Sequence, residues 1–322
     1  MVVKNTESTT PSSSPSSDSL SLKEHLSRNV QNRALAELIL LISDLAKPIS
    51  DAFHGKQGFA GTKNIYGENQ LEIDKWADRT IIDKLRESSL VKSIASEEQS
   101  ELIEIENASG TFGVVLDPLD GSSLIGVNLS VGTIVGIFDE GDVMEPGSRM
   151  DAALYLMYGP LTVLVYSAGK GVHEFVLSQD GVFRLLHENL RIPPGEKGKL
   201  YAPGGKRREY LPYHEKYISL LESDGYKLRY SGAFVADFHQ ILHKGGVFCY
   251  PATKSAPNGK LRLIFEANPM TFLVKQAGGK GSDGTRDIHS IVPRDLSQRT
   301  PLYIGSSDAV DLIEKVRSEL NE

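Results

Sequence analysis

The 322-residue chain contains a single cysteine, Cys249. One thiol excludes an internal disulfide and a multi-cysteine metal site, and it matches the usage of a reducing compartment. Within "GGVFCYP", Cys249 reads as a small core residue rather than a nucleophile. Long apolar runs are missing too. Segments such as "LAELILLISDLA" are interrupted by charge and too short to span a bilayer, so no membrane partner is expected. There is no basic surplus either. Against 42 Asp and Glu stand 35 Lys and Arg, a formal charge of −7, which argues against a nucleic-acid partner. A small anionic substrate stays open, because a local cluster of Lys, Arg or metal overrides the global sign. The first 22 residues, "MVVKNTESTTPSSSPSSDSLSL", lack an apolar core of their own and are expected to be disordered. They have neither the apolar centre of a secretory signal nor the Arg of a transit peptide, and Glu7 and Asp18 interrupt them. A flexible cytoplasmic tail is the expectation.

The remainder carries ordinary periodicities. Leu35, Leu38, Ile39, Ile42 and Leu45 make one apolar helical stripe within 23–53, and a second helix is predicted from Asp74 to Glu87. The middle turns to strand-type runs: "GTFGVVLD", "GTIVGIFD", "DAALYLMYG", "LTVLVYSAG", "VHEFVLSQDG" and "VFRLLHENL". Pro, Gly and basic residues concentrate near 190–206, in "LRIPPGEKGKLYAPGGKRR", and mark a candidate boundary between domains 23–192 and 193–322. Beyond it, "AFVADFHQILHKGG" reads as a helix and "VFCYP" as a strand. "NPMTFLVKQAGG" reads as a helix capped by Asn268, and a last helix follows Ser306-Ser307. The sum is a mixed α and β chain. Trp76 and the aromatics of 234–248 read as core. His239, His243 and His289 show no partnered spacing and are expected to satisfy local hydrogen bonds.

The chemistry gathers around "VVLDPLDGSS", where a buried-type strand ends on two carboxylates, Asp117 and Asp120. Buried carboxylates need a partner or a cation. Other acids stand at element ends: Glu97-Glu98 in "SIASEEQS", Glu266 closing "LRLIFE", and Glu68 and Asp74 around the second helix start. Each alone suits a turn or a solvated helix end. Together they suit a hard cation such as Mg²⁺, which takes oxygen ligands from scattered positions. Gly121-Ser122-Ser123 follows at once, and its backbone N–H groups could cradle a phosphate. Anions beside a phosphate cradle make sense with metal between them, and two cations bridging phosphate and water is a standard solution for phosphoester hydrolysis.

"DPLDGSS" with "EEQ" upstream resembles the magnesium-dependent sugar bisphosphatases, fructose-1,6-bisphosphatase and sedoheptulose-1,7-bisphosphatase. The likeness extends through "RYSGAFVADFHQILHKGGVFCYP", "GKLRLIFEANPM" and "QAGGKGSDG", from about residue 25 onward. It implies a layered α-β-α-β-α sandwich of the sugar-phosphatase type, an α+β fold. The N-terminal domain would carry the metal-site carboxylates and the C-terminal domain the sugar-phosphate-binding residues. The implied ligands of two or three Mg²⁺ ions, with Mn²⁺ as an alternative, are Glu97, Glu98, Asp117, Asp120, Glu266 and the Leu119 carbonyl. Glu68, Asp74 and Glu98 are the implied catalytic acids around a metal-activated water. The resemblance places one phosphate on Gly121, Ser122 and Ser123 under Arg262, with Lys260 on the sugar or its ester. Tyr230, Tyr250 and Arg229 of a neighbouring subunit would take the distal phosphate, which implies a homo-oligomer, dimer or tetramer.

Departures from the family pattern direct the substrate. Leu124 and Gly126 stand where fructose-type members carry Asn and Asp. The AMP-site stretches read "LSRNVQNRALAE" and Thr111-Phe112, so AMP inhibition is not expected. "APGGKRREY" is closer to the sedoheptulose-type segment: Gly204 gives room, and Lys206 and Arg207 add positive charge for a longer sugar. The expected activity is therefore hydrolysis of sedoheptulose 1,7-bisphosphate to the 7-phosphate, with fructose 1,6-bisphosphate or both sugars as the alternative. A catalytically dead sugar-phosphate sensor is the alternative from another class, and it would be expected to lose one of these acids.

Overall fold

The computed structural model describes residues 19–54, 59–63, 69–140 and 142–320. The chain opens with helices α1 (Leu22–Asn29), α2 (Arg33–Ser43) and α3 (Ala46–Ala52), a strand pair β1 (Phe59–Lys63) and β2 (Asn69–Leu71), and α4 (Glu72–Glu87). Then come β3 (Val91–Ser96), β4 (Ile103–Glu104), β5 (Phe112–Asp120), β6 (Val131–Phe138), β7 (Ala152–Tyr158), β8 (Thr162–Ser167), β9 (His173–Leu177) and β10 (Phe183–His187). The C-terminal part holds β11 (Leu200–Pro203), α5 (Pro212–Ser223), β12 (Lys227–Leu228), α6 (Phe234–Lys244), β13 (Gly246–Tyr250) and β14 (Leu261–Arg262). It ends with α7 (Asn268–Gln276), β15 (Lys280–Ser282), β16 (Arg299–Thr300), β17 (Leu302–Gly305) and α8 (Ser307–Leu320).

Strands β3–β10 form one sheet in the order β10-β9-β8-β7-β6-β5-β3-β4, antiparallel except for the β3–β5 pair. A second sheet has the order β12-β11-β13-β17-β15, with β11 parallel to both neighbours. Side-chain alternation along each strand assigns the layers. Val114 and Leu116 of β5 join Leu38, Ile42, Ile81 and Leu85 of the N-terminal helices, whereas Val115 faces α6 and α7. On β13, Phe248 faces that same interior, and Val247 and Cys249 face Tyr217, Val310 and Ile313 of α5 and α8. Two outer cores and a central one that encloses α6 and α7 between the sheets thus hold five layers together, α-β-α-β-α. Because both faces of β5 are covered, all nine of its residues are buried, which explains its nearly continuous apolar run.

Several expectations shift in detail. Ordered chain begins before residue 23: Leu20 accepts a hydrogen bond from the Leu185 N–H at 2.8 Å. Ser21 and Glu24 form a reciprocal capping box that starts α1, and Leu22 is buried. Residues 1–18 of the expected tail lie outside the described residues. The stripe at 23–53 is three helices, not one, broken around Gln31 and Asp44. Asn268 does not cap α7. The helix follows directly from a π-helical turn, Leu263–Ala267, so Asn268 is already helical and its side chain is buried. His289 does make local bonds, to Asn268 O and from its own N–H to Asp287. His239 and His243 do not. They lie one turn apart on α6 and converge on Glu174.

Candidate active site

Asp117 and Asp120 are three residues apart, a spacing that would place them on opposite faces of a regular strand. A bulge in β5 brings them together. Asp117 pairs with Ile134 and Asp120 with Gly132, so β5 spends one residue more than β6 between these pairs. Pro118, which has no N–H to give the ladder, sits in this bulge, and its carbonyl accepts from Thr133 Oγ1 at 2.9 Å. Oδ1 of Asp117 in turn accepts from the Leu119 N–H at 3.0 Å. The Val235 N–H, in the first turn of α6, donates to Oδ2 of Asp120 at 2.7 Å, so this carboxylate sits on the positive end of that helix. Glu266 lies in the π-helical turn after β14 and folds back onto the Arg262 N–H at 2.5 Å.

Asp117, Asp120 and Glu266 are each buried, and oxygens from all three lie within 4.8 Å of one another. Burial, then the charges of Glu97, Asp120 and Glu266, push the Asp117 carboxyl well above its usual range. Burial, then Glu97 and Asp120, do the same to Glu266. Burial raises Asp120 to about 6, against the opposing pull of the α6 backbone donors. Such a trio resists ionisation until a cation joins it, and all-oxygen donors fit a hard divalent ion.

Glu97 and Glu98 follow β3, with the Glu97 N–H donating to Leu116 O at 3.0 Å beside the bulge. Their turn is braced from α4: Asp78, buried, accepts from Ser96 Oγ and Gln99 Nε2. Arg262, 2% exposed, places its Nε 3.3 Å from Glu97 Oε1. Gly121 takes φ 76°, and a β-carbon there would lie 2.7 Å from the Ala233 β-carbon, so the turn requires glycine.

A cleft of about 440 Å³ unites most of the expected residues: Glu97, Glu98, Asp117, Leu119, Asp120 and Glu266. It is also lined by Gly121, Ser122, Ser123, Tyr230, Tyr250, Lys260 and Arg262. Lys260 Nζ lies 5.8 Å above the Tyr250 ring. Asp74 is buried in the first turn of α4 and does not line the cleft. Glu68 lies outside the described residues. Arg229 is exposed and off the cleft, its guanidinium on Leu228 O. Lys206 and Arg207 do not reach the cleft either. Their side chains, 71% and 63% exposed, turn to Glu209 and Glu215, the carboxylates nearest in their own loop and helix.

The room expected beside Gly204 is also taken. A β-carbon there would lie 2.2 Å from Cδ2 of Tyr250, so the missing side chain accommodates this ring rather than a longer sugar. Gly204→Ala is accordingly expected to displace Tyr250 and to raise KM about tenfold, with kcat changed less; an unchanged KM in steady-state kinetics would contradict this placement. Sequence reasoning missed Arg299, which lines the cleft and pairs with Arg262 across β14 and β16. It also missed Asp78, whose one available signal was its position one helical turn after Asp74.

The chain matches two family models: "Fructose-1-6-bisphosphatase, N-terminal domain" over residues 21–188 and "Fructose-1-6-bisphosphatase, C-terminal domain" over 194–318. It is 51% identical over 296 residues to "Fructose-1,6-bisphosphatase class 1" of Methanocorpusculum labreanum, covering 92% of this chain and 91% of the relative. The same-named protein of Geobacter sulfurreducens is 47% identical, covering 90% and 93%. Among solved structures, the holo form of Leishmania major fructose-1,6-bisphosphatase superposes with a TM-score of 0.88 at 32% identity, covering 94% of this chain and all of that one.

Proposed function

The chain belongs to the fructose-1,6-bisphosphatase family and is a sugar-bisphosphate phosphatase, and on that premise we propose that it hydrolyses fructose 1,6-bisphosphate at its 1-phosphate. The observation that carries the reading is the buried trio of Asp117, Asp120 and Glu266 facing the Gly121-Ser122-Ser123 turn in one cleft. A metal-dependent phosphatase needs this pairing of carboxylates and phosphate cradle. Mg²⁺ is the proposed ion, held by these three with Glu97, Glu98 and the Leu119 carbonyl. When bound, it supplies neutralisation of phosphoryl charge and acidifies water.

The protein's own groups do the rest. Backbone N–H groups of the Gly121 turn receive the 1-phosphate. Arg262, fixed beside Glu97, adds buried positive charge next to it. Glu98, which lines the cleft, is the proposed proton acceptor for the attacking water. Asp74, buried off the cleft, is proposed to act only through other groups, and Glu68 is proposed with it from the family resemblance alone. Tyr230, Tyr250, Lys260 and Arg299 line the same cleft and are proposed to take the sugar and its distal phosphate. The exposure of Arg229 supports a role across a subunit interface in a homo-oligomer.

The preference for fructose over sedoheptulose bisphosphate rests on two supports. The relatives are named for fructose, and Gly204, Lys206 and Arg207, which pointed to the longer sugar, leave the cleft no larger and no more positive. The kcat/KM ratio of the two sugars with Mg²⁺ tests this. Fructose 1,6-bisphosphate is expected to be favoured by about tenfold or more. The reverse ratio would transfer the assignment to the seven-carbon sugar, and phosphate release from neither would remove the enzymatic reading in favour of a sensor.

A further inference from the structure

Away from the cleft, at the β10 edge of the large sheet, a buried glutamate is surrounded by imidazoles. Glu174 on β9 is 2% exposed. His187 Nδ1 lies 2.8 Å from its Oε2, and His243 Nε2 lies 3.0 Å from the same oxygen. His239 Nε2 is 3.7 Å from the other oxygen, Oε1. The arrangement is drawn from three elements. A register shift in the β9–β10 hairpin sets His187 directly opposite Glu174, and the two α6 histidines reach down from the layer between the sheets. Nδ1 of His239 meets Tyr155 Oη at 2.7 Å; donation of its proton there leaves the Nε2 lone pair turned toward Glu174.

We propose that Glu174, His187 and His243, with His239 as a fourth donor, form a site for a transition-metal ion of the Zn²⁺ class, separate from the carboxylate cleft. Two imidazole nitrogens and a carboxylate oxygen are a common zinc donor set, and mixed N and O donors discriminate against Mg²⁺. Donor atoms of Glu174, His187 and His243 already lie within 4.8 Å of one another. Zinc bonds of about 2.0–2.1 Å in a tetrahedron separate ligand atoms by about 3.3 Å, so the His187 and His243 nitrogens, at 2.8 and 3.0 Å, need to part from Glu174 Oε2 by only about half an ångström or less. The histidine side chains are 17–27% exposed, which leaves an ion a route in. The neighbouring cluster of His25, His173 and Glu188 is a poorer candidate. There both His173 nitrogens are engaged by backbone, with Lys170 O and the Asn189 N–H, and Glu188 is 59% exposed.

An ion here would pin the C-terminal half of α6 to the sheet edge. The N-terminal turn of the same helix holds Asp120, about 12 Å away along the axis from Val235 to His243. The full-length protein, stripped with chelator and equilibrated with Zn²⁺ in excess Mg²⁺, tests the site by equilibrium dialysis and by anomalous diffraction at the zinc edge. One Zn²⁺ per chain is expected to resist Mg²⁺, to survive Asp117→Asn, and to bind about 100-fold more weakly in His187→Gln and in His243→Gln. No retained Zn²⁺, or Zn²⁺ retained equally by both histidine variants and lost in Asp117→Asn, would overturn the proposal. If the histidine variants fail to fold, the wild-type anomalous map decides. A peak between His187 and His243 supports the site, and no peak, or one at Asp117 and Glu266 alone, refutes it.

Discussion

Asp117→Asn is expected to stabilise the metal-free protein while removing its activity. The carboxylate sits with Asp120 and Glu266 in a buried trio in which burial raises every pKa, Asp120 and Glu266 push Asp117 further up, and Asp120 does the same to Glu266. For Asp120, raised from 3.8 to about 6, the sign follows directly. A carboxyl with a folded-state pKa above its unfolded value stabilises the fold below the unfolded pKa, and that contribution is lost as pH rises through the folded one. Metal-free wild-type protein should therefore lose stability as pH rises above about 4, through about pH 6 for Asp120 and on to higher pH for Asp117 and Glu266. Asparagine keeps an Oδ1 for the Leu119 N–H and removes one of the repelling charges. In thermal melts at pH 7.5 without metal, the variant is expected to gain about 2–5 °C, and the gain should vanish near pH 4. Mg²⁺ should raise the wild-type Tm and leave the variant nearly unmoved, because binding to the native state alone is what shifts a melt. Phosphate release should fall at least about 10³-fold, a loss of several kcal/mol of transition-state stabilisation. A variant less stable than wild type without metal, or one still stabilised by Mg²⁺, would remove Asp117 from the metal site.

How much of this was legible in the sequence depended on the range of the interactions. The apolar run that opens β5, with Gly-Ser-Ser following the strand, announces a strand buried on both faces, and the two acids within its last four residues demand compensation. That much is local. The bulge that turns Asp117 and Asp120 to one side is set by the register against β6, which no window around residue 117 contains. Arg299 likewise enters the cleft through its pairing with Arg262, 37 residues earlier in the chain (299 − 262). Gly204 shows how a correct local observation misleads. The residue is small because Tyr250 packs on it, and the ring comes from another strand. His239 and His243 carried a readable signal, a spacing of four on an evident helix. Their partners Glu174 and His187 lie on a different layer, so the spacing had no visible object.

Arg262→Met should be among the most damaging single substitutions in the chain, and for a reason separable from catalysis. The guanidinium is 2% exposed and lies 3.3 Å from Glu97, in a neighbourhood already crowded with Asp117, Asp120 and Glu266. Methionine fills comparable volume, so packing is largely kept and the charge is what disappears. Removing one partner of a buried ion pair strands the other, at a cost of about 3–5 kcal/mol. Restoring neutrality should recover most of it. In Arg262→Met with Glu97→Gln, denaturant unfolding without metal is expected to return to within about 1–2 kcal/mol of wild type, since a neutral pair replaces an ionic one with little net change. Activity should not return, because the double variant lacks both a proposed metal ligand and the positive charge beside the phosphate. That divergence between stability and activity identifies the pair as holding opposite charges together for the reaction rather than for the fold. If Glu97→Gln adds its own destabilisation to that of Arg262→Met, the two side chains are not coupled and Arg262 compensates other groups.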